Sequence, residues 1–337
     1  SGNSKKYKKE IEQIFKIGKN ASNNLLELDL SYFDYFNFYT PNFYSDKLIE
    51  VFGEVRLQDE KLDQRHLDIA SALQEVSEEK VLELINEIGE QFPNEKNLCL
   101  SGGFFMNSAL NGKISTQTKF KNPFIGPCPD DTGISIGSAY ASSSKILEIP
   151  KKKYVDNFFG SEYTNAEIEN ELQISKINYQ VLDNYLEDAA KNLLDGKIIG
   201  WFQGRSELGQ RALGHRSILA SPILPDMKDT INKYVKFREE FRPFAPSILE
   251  EFREEYFEIP SSEEVYFMEK VFAFKENKKK EIPAVVHTDG TGRIHFVSEK
   301  SNEIFYKLIK EFKKISKVPI ILNTSFNTNN VPIVESP

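Results

Sequence analysis

The chain has 337 residues, of which 39% are hydrophobic and 28% are charged, and its formal net charge is −8. This length favours two domains, and the composition is typical of a globular protein. The acidic balance excludes non-specific nucleic-acid binding, which requires an excess of lysine and arginine on one face. The N-terminal segment lacks the apolar stretch of a signal peptide, and no window approaches the ~20 apolar residues of a spanning helix. We therefore expect a cytoplasmic protein that does not bind membranes, with Cys99 and Cys128 reduced.

The first half of the sequence predicts one long helix followed by two strand-to-helix turns. Apolar residues recur at helical spacing over residues 63–89. The apolar run NLCL then leads into a glycine pair and the helical segment FFMNSALNGKI. The segment PCPDDTG forms the second turn and precedes a helix of small residues. Two such turns are typical of a nucleotide-binding α/β fold.

The second half begins after a connection that we place between about residues 150 and 175. A helix stops at Gly196, a strand follows over 198–202, and apolar residues near 218–223 close the loop between this strand and a helix over 227–235. Further strands are predicted over 271–274, 284–286 and 319–322, with a helix over 302–315.

Both turns of the first half contain candidate site residues. Gly102 and Gly103 let the backbone approach a ligand closely, and Asn107 lies on the helix that follows. A plain tight turn is the alternative. In the second turn Asp131 is a candidate ligand for a hard metal ion, and a helix N-cap is the alternative.

The segment GRSELGQRALGHRS, residues 204–217, is the richest candidate site. It places Arg205, Arg211 and Arg216 among three glycines directly after an apolar strand. Arginine forks bind phosphate in two-point geometry, so this pattern favours an anion site over an idle loop. Glu207 can orient a guanidinium or hold a carbamoyl NH2 group. His215 is either a hydrogen-bonding scaffold or, less favoured, a general base.

Three later segments extend this candidate site. Lys236, Arg238 and Arg242 precede two prolines that fix an extended chain, although a solvated helix face is the alternative. The segment HTDGTGR could be a simple hairpin turn, because Asp-Gly favours positive φ. Asn323 and Ser325 follow an apolar strand, where open α/β sheets usually bind ligands.

Taken in this order, the segments resemble the NodU/CmcH family of O-carbamoyltransferases. The resemblance runs from about Asp63 to the C-terminus and is carried by GRSELGQRALGHRSILASP, FREEFRPFAPSIL, HTDGTGRI and ILNTSFN. It implies an α/β fold, α+β in its C-terminal domain. An incomplete actin/Hsp70-like ATPase domain is expected over residues 1–160, followed by a YrdC-like carbamoyl phosphate- and ATP-binding domain over 175–337, truncated at its C-terminus.

The resemblance also implies the chemistry and the roles of individual residues. Carbamoyl phosphate and ATP would give carbamoyl adenylate, and the carbamoyl group would pass to a hydroxyl acceptor such as a sugar, an antibiotic or an oligosaccharide. Asp131 would ligate iron or another divalent metal. The implied catalytic residues are Arg205, Glu207, Arg211, Arg216, Lys236 and Arg242. The implied co-substrate-binding residues are Gly102, Gly103, Asn107, His215, Ser217, Asn323 and Ser325.

The sequence departs from the family in two places. The H-x-x-x-H histidine pair that completes the family's metal site has no counterpart, and His66 is not one of those ligands. The chain also stops at VPIVESP, where the family continues with another helix and strand. We therefore expect a piece of a longer protein with an incomplete metal site. A non-catalytic anion- or nucleotide-binding fragment and a tRNA threonylcarbamoylation-related enzyme are the alternatives, and a homodimer is left open.

Overall fold

A computed structural model of the chain describes residues 2–17, 26–35, 42–57, 60–146 and 156–337. These residues pack as two compact units. Unit 1 comprises Ser1–Lys96 with Gln117–Phe120, and unit 2 comprises Asn97–Thr116 with Lys121–Pro337. Across the described ranges, no helix is both long enough and apolar enough to cross a membrane.

Unit 1 is mainly helical. Its elements are α1 (Lys8–Ile14), β1 (Phe15–Ile17), β2 (Leu26–Leu28), α2 (Asp46–Phe52) and α3 (Gln64–Gln91), with β1 and β2 antiparallel. The long helix α3 begins at a capping box, in which Asp63 accepts from the amide of His66 and the His66 ring accepts from the amide of Asp63. Ala72 and Val76 on α3 pack with Ile11 of α1 in a small core. The helix predicted over residues 63–89 is therefore confirmed.

Unit 2 opens with the two strand-to-helix turns. Its first elements are β3 (Cys99–Leu100), α4 (Ser108–Gln117), β4 (Phe124–Ile125), α5 (Ile134–Ile146) and α6 (Asn165–Ile174). Strands β3 and β4 run parallel, so both turns lie at the same end of this pair. Gly102 has a φ of +114° and its amide donates to the carbonyl of Pro129 at 2.6 Å, which joins the first turn to the second.

A five-stranded mixed sheet forms the main part of unit 2. The remaining elements are α7 (Tyr185–Leu194), β5 (Ile199–Phe202), β6 (Arg216–Ala220), α8 (Met227–Ile231), β7 (Ala245–Leu249), α9 (Arg253–Tyr256), β8 (Val271–Ala273), β9 (Thr291–Arg293), β10 (His295–Val297), α10 (Glu303–Ser316) and β11 (Ile320–Ser325). The strand order is β10-β7-β11-β6-β5, parallel between β10 and β7 and antiparallel elsewhere. Strands β8 and β9 form a separate antiparallel pair.

The core of unit 2 lies between this sheet and two helices. Helices α7 and α10 pack side by side, and α10 buries Phe305, Leu308 and Phe312 in the same core as Ile320 of β11. Every residue of β6 and of β7 is buried, as in strands covered on both faces. The combination of helices and sheets confirms the predicted α/β class.

Three elements differ from the sequence prediction. Apolar residues near 218–223 were expected to close a loop, and the extended segment at the two prolines was not predicted to be a strand, but β6 and β7 are central strands. Their polar residues Arg216, Ser217 and Ser247 are buried because hydrogen bonds satisfy them, and this masked the strand pattern. The strand predicted over 284–286 is wrong, because Pro283 begins a 3₁₀ turn there.

Candidate anion-binding site

One carboxylate, that of Glu207, holds the arginine-rich loop between β5 and β6 in place through hydrogen bonds to its backbone. Glu207 Oε1 accepts hydrogen bonds from the backbone amides of Leu213 at 2.6 Å, His215 at 2.8 Å and Arg216 at 3.2 Å. Such charge-assisted bonds are stronger than neutral ones. The carboxylate therefore fixes the path of the chain on both sides of Gly214.

Arg216 lies inside this loop and is fully buried. Its guanidinium lies 3.5 Å from the centre of the Phe202 ring and donates to the main-chain carbonyls of Gln203 at 2.8 Å and Ser161 at 3.2 Å. These contacts hold the loop together from within. Arg216 was predicted to hold phosphate, but its terminal nitrogens donate to the backbone, and its Nε is buried without a partner.

His215 is a buried scaffold in this geometry. Its ring stacks on Phe158 with centroids 3.6 Å apart, and Nδ1 lies 2.6 Å from the carbonyl of Arg205. Because a carbonyl can only accept, Nδ1 carries the proton and donates. Burial lowers the pKa of His215, which keeps the ring neutral. Of the two roles considered for His215, the geometry favours the scaffold.

Residues 156–161, which we call the strap, run beside the same loop. The strap residue Asn157 accepts from the amide of Leu208 at 2.8 Å and returns a side-chain hydrogen bond to its carbonyl at 2.6 Å. The amides of Gly160 and Ser206 add two further backbone bonds between the strap and the loop. The exposed Arg205 donates to a strap carbonyl at 3.2 Å. The loop is thus held on its outer side as well.

Four cations near this loop are here called the cation cluster: Arg211, Lys236, Arg238 and Arg293. The charges of Arg211 and Arg238 act on Arg293, and the charge of Arg238 acts on Lys236. Within the residues that the structure describes, the guanidiniums of Arg211 and Arg293 have no hydrogen-bond or ion-pair partner, and Arg293 Nε is buried and unsatisfied. Burial lowers the pKa of Arg211. Burial, and then the charges of Arg211 and Arg238, lower the pKa of Arg293. Half-buried like charges without a counterion are unfavourable, so this arrangement favours the binding of an anion.

Lys236 and Arg238 complete the cluster from a π-helical turn, Asn232–Lys236. The Lys236 ammonium donates to Ser325 Oγ at 3.1 Å, to Asn327 Oδ1 at 2.8 Å and to the backbone carbonyls of the same two residues, all of them neutral groups. Burial, followed by the charge of Arg238, lowers the pKa of Lys236 to about 8. Arg238 donates to Asn232 Oδ1 at 2.8 Å. Neither cation is neutralised by these contacts.

Other predicted residues have local partners. Arg242 forms a surface ion pair with Glu239 at 2.8 Å. The buried Asn323 amide donates to the carbonyl of Ala212 at 3.1 Å and to Ser247 Oγ at 3.0 Å, while its own oxygen is unsatisfied. Ser217 Oγ accepts from the amide of Gly214 at 3.0 Å. Asn323 thus links β11 to the residue that follows Arg211.

The first-half turns contact the loop through one hydrogen bond. Gln210 donates to Asp130 Oδ2 at 2.8 Å. Asn107 accepts from the amide of Leu110 at 3.2 Å, as a residue at a helix start does. Gly102 and Gly103 lie next to a cavity of about 880 Å³, whose lining residues are Cys99, Leu100, Ser101, Phe124, Gly126, Pro127, Cys128, Pro129, Gly133, Ile136, Gly137, Tyr140, Ala141, Ser143, Ser144 and Lys145. Neither glycine lines that cavity.

Asp131 has no complete set of metal ligands around it in the part of the chain that the structure describes. Asp131 is exposed in a 3₁₀ turn, and its neighbour Asp130 is engaged by Thr132 at 2.5 Å and by Gln210. In the described ranges, no group of three His, Cys, Asp or Glu side chains could hold a metal ion. A three-ligand site is the minimum for tight capture by such residues.

Two cluster residues were missed as site residues by sequence reasoning. Arg293 lies in the segment HTDGTGR, which was interpreted as a turn, and the turn does form, with the amide of His287 bonded to the carbonyl of Thr291 at 2.8 Å. Arg238 was noted only as a neighbour of Lys236. One sequence signal could have identified Arg293. Arginine is scarce in this chain and lysine is abundant, so an arginine beside a glycine-rich turn is a candidate anion ligand.

Comparison with known proteins identifies the family. A model described as carbamoyltransferase N-terminus matches residues 7–140, and one described as carbamoyltransferase C-terminus matches residues 190–337. The nodulation protein NolNO of Sinorhizobium fredii is 40% identical over 288 residues, which cover 84% of this chain and 42% of that protein. NolO of Bradyrhizobium diazoefficiens is 39% identical over 288 residues, covering 84% and 52%. The chain spans about half the length of these curated relatives. As its motifs predicted, the chain belongs to the carbamoyltransferase family.

Proposed function

We propose that the second half of this chain binds carbamoyl phosphate and the phosphates of ATP at the cation cluster and forms carbamoyl adenylate. The observation that carries the proposal is the pair of unpartnered guanidiniums, Arg211 and Arg293, beside the buried Lys236. Phosphate groups are the ligands that such arginine forks bind best. Membership of the carbamoyltransferase family makes carbamoyl phosphate the relevant phosphate.

The proposed reaction has three balanced steps. Water cleaves the bond between the carbamoyl carbon and the phosphate oxygen, which releases phosphate and leaves carbamate. A carbamate oxygen then attacks the α-phosphorus of ATP, so that pyrophosphate leaves and carbamoyl adenylate forms. Finally the hydroxyl oxygen of an acceptor attacks the carbamoyl carbon, loses its proton and releases AMP. Charge accumulates on phosphate oxygens in the first two steps, which is where fixed cations lower the barrier.

We assign roles by position in the cluster. Arg211 and Arg293 would hold phosphate oxygens directly. Lys236, which is hydrogen-bonded to Ser325 and Asn327, would add a third positive charge. Arg205 and Arg242 lie at the surface, so a contact with the more distant ATP phosphates is the role proposed for them. Arg216 and His215 would keep the loop in shape without touching the ligand.

The domain assignment is part of the same proposal. We propose an actin/Hsp70-like domain over residues 1–160 and a YrdC-like domain over 175–337. The interval between the two family-model matches, 141–189, contains this boundary, which supports the division. The compact units divide differently, because unit 2 begins at Asn97 and includes parts of both proposed domains. The acceptor would be a small molecule with a free hydroxyl group. No step is assigned to a metal, because the residues around Asp131 do not form a site for one.

Isotope exchange between pyrophosphate and ATP tests the proposal. The chain should catalyse exchange only when carbamoyl phosphate is present, because the adenylate must form reversibly. Arg211→Ala should lower the exchange rate about 100-fold, in line with the loss of a charge-assisted contact in the transition state. The surface variant Arg56→Ala, which also removes one positive charge, should leave the rate unchanged. Exchange that does not require carbamoyl phosphate would contradict the proposed reaction.

A further inference from the structure

Glu207 is the only acidic residue between Gly204 and Ser217, in a loop that contains three arginines. A carboxylate in such a loop would ordinarily pair with a guanidinium. Within the described chain it forms no ion pair, and its Oε1 atom instead accepts from three backbone amides. Arg211, four residues away, is left without a counterion.

We propose that Glu207 is the positioning residue of the anion site: it does not touch the substrate but fixes the loop so that Arg211 stays unpaired and directed to the ligand. This inference rests on the proposed function, because it assumes that Arg211 binds phosphate. It replaces the direct role in holding a carbamoyl group that the sequence suggested for Glu207.

The loop is held by hydrogen bonds both before and after Arg211. The backbone amides that donate to Glu207 belong to Leu213, His215 and Arg216, which follow Arg211 in the sequence. On the N-terminal side, Ser206 is bonded to the strap at Ser161 and Gly160, by 2.9 and 3.0 Å backbone bonds. Arg211 therefore lies in a segment whose two ends are both fixed.

The length of the Glu207 side chain and its one oxygen explain how a single residue performs this task. Oε1 accepts all three amide bonds, so a side chain of the same length with one carbonyl oxygen can make the same contacts. The same amides satisfy the carboxylate, so it does not compete for Arg211. An anion site requires a cation that is held in place but not neutralised. Because the loop is already ordered before the ligand binds, binding does not cost the entropy of ordering it.

The proposal is tested with two variants that separate shape from charge. Glu207→Gln loses the charge but keeps the length and one oxygen, and one oxygen accepts all three bonds. Glu207→Asp keeps the charge but is one methylene shorter and cannot reach the three amides together. Binding of inorganic phosphate is measured by calorimetry on the whole chain, and exchange of the amide protons of residues 213–216 is followed by mass spectrometry.

A positioning role predicts that Glu207→Gln binds phosphate within about threefold of the parent chain, whereas Glu207→Asp weakens binding about tenfold or more, the scale of losing a charged hydrogen bond. Amide protection at 213–216 should fall in the Asp variant and persist in the Gln variant. The reverse order, with Asp like the parent and Gln strongly impaired, would overturn the proposal. If neither the parent nor any variant binds phosphate, the proposed function itself fails. If Arg211→Ala alone weakens binding, only the role of Glu207 fails.

Discussion

At the scale of single residues, the structure divides the arginines by what they contact. The terminal nitrogens of Arg216 donate to main-chain carbonyls and Arg242 is paired with Glu239. Within the described residues Arg293 makes no such bond, and its Nε, like that of Arg216, is buried without a partner. An arginine that satisfies a loop stabilises the fold, whereas an unpaired one near other cations destabilises it until an anion binds. The same residue type thus serves structure and function in one loop.

Replacing Arg293 should therefore have opposite effects on stability and on binding. Arg293→Met removes repulsion from Arg211 and Arg238, so the free energy of unfolding without ligand should stay equal or rise by about 1 kcal/mol. Phosphate affinity should fall about tenfold or more. Urea denaturation and calorimetry on the same preparation provide both values.

Arg216→Met is the matched control for that experiment. It removes four side-chain hydrogen bonds to main-chain carbonyls, so it should lower the free energy of unfolding by about 3 kcal/mol or more. A stabilised Arg216 variant, or an Arg293 variant that is equally destabilised, would contradict this division of the arginines.

The pKa of Lys236 predicts a pH dependence of anion binding. Burial and Arg238 lower this pKa to about 8, so the ammonium loses its proton as the pH rises through that value. Sulfate keeps its own charge over this range. Its affinity should therefore fall several-fold between about pH 7 and 9.5, because the site loses one positive charge. Calorimetry at a series of pH values measures this.

Lys236→Met should bind sulfate weakly at every pH and lose the pH dependence. The stability of the unliganded chain should rise with pH, whereas sulfate affinity falls. Because the folded state releases the Lys236 proton at a lower pH than the unfolded state, this residue's contribution to the free energy of unfolding increases with pH above about 8. An affinity for sulfate that is constant up to pH 9.5 in the parent chain would show that Lys236 does not face the anion.

At the scale of elements, the buried side chain of Asn302 connects helix α10 to the arginine-rich loop. Asn302 caps α10 by accepting from the amide of Phe305 at 3.3 Å, donates to the carbonyl of Leu213 at 3.1 Å, and accepts from Gln203 at 2.9 Å. It therefore joins the start of a core helix to both sides of the arginine loop. The last part of the loop, where Ala212, Leu213 and His215 are buried, therefore packs with the strands that flank it.

Asn302→Ala should destabilise unit 2 by about 2–3 kcal/mol, since a cap and two buried bonds are lost together. The capping residue of α6, Thr164, is the comparison, because its bonds to Glu167 are exposed. Thr164→Ala should have an effect of about 1 kcal/mol or less. Urea denaturation followed by tryptophan fluorescence reports on both, through Trp201. Equal losses in the two variants would argue against the coupling.

Elements with clear periodicity could be predicted from the sequence, whereas buried polar strands could not. The pattern of apolar residues placed α3 and α10 within a few residues of their observed bounds. Strand β6 was missed because it begins with Arg216 and Ser217, whose burial depends on partners far away in the sequence. Tertiary hydrogen bonds of this kind leave no local signal.

The candidate site was predictable in composition but not in arrangement. The arginine-rich loop and the residues Lys236 and Ser325 were singled out from the sequence, and the structure does bring Lys236 and Ser325 together. Which arginines remain unpaired depends on the path of the loop, and so on Glu207 and the strap. Arg293 joins the cluster from a strand pair that the sequence did not connect to the loop.

At the scale of the whole molecule, the anion site belongs to unit 2 alone. Arg211, Lys236, Arg238 and Arg293 are all supplied by this unit, as are the strap and the turn that holds Asp130. This chain should therefore bind small phosphates, although it spans about half the length of its curated relatives.

Calorimetric titration of this chain with carbamoyl phosphate tests the central claim most directly. We expect saturable binding at one site that weakens as salt is raised, because charge-assisted contacts are screened. In the double variant Arg211→Ala/Arg293→Ala the affinity should fall about 100-fold, while Arg56→Ala binds like the parent. Equal affinity of the double variant and the parent chain would contradict the assignment of the cation cluster as the phosphate site.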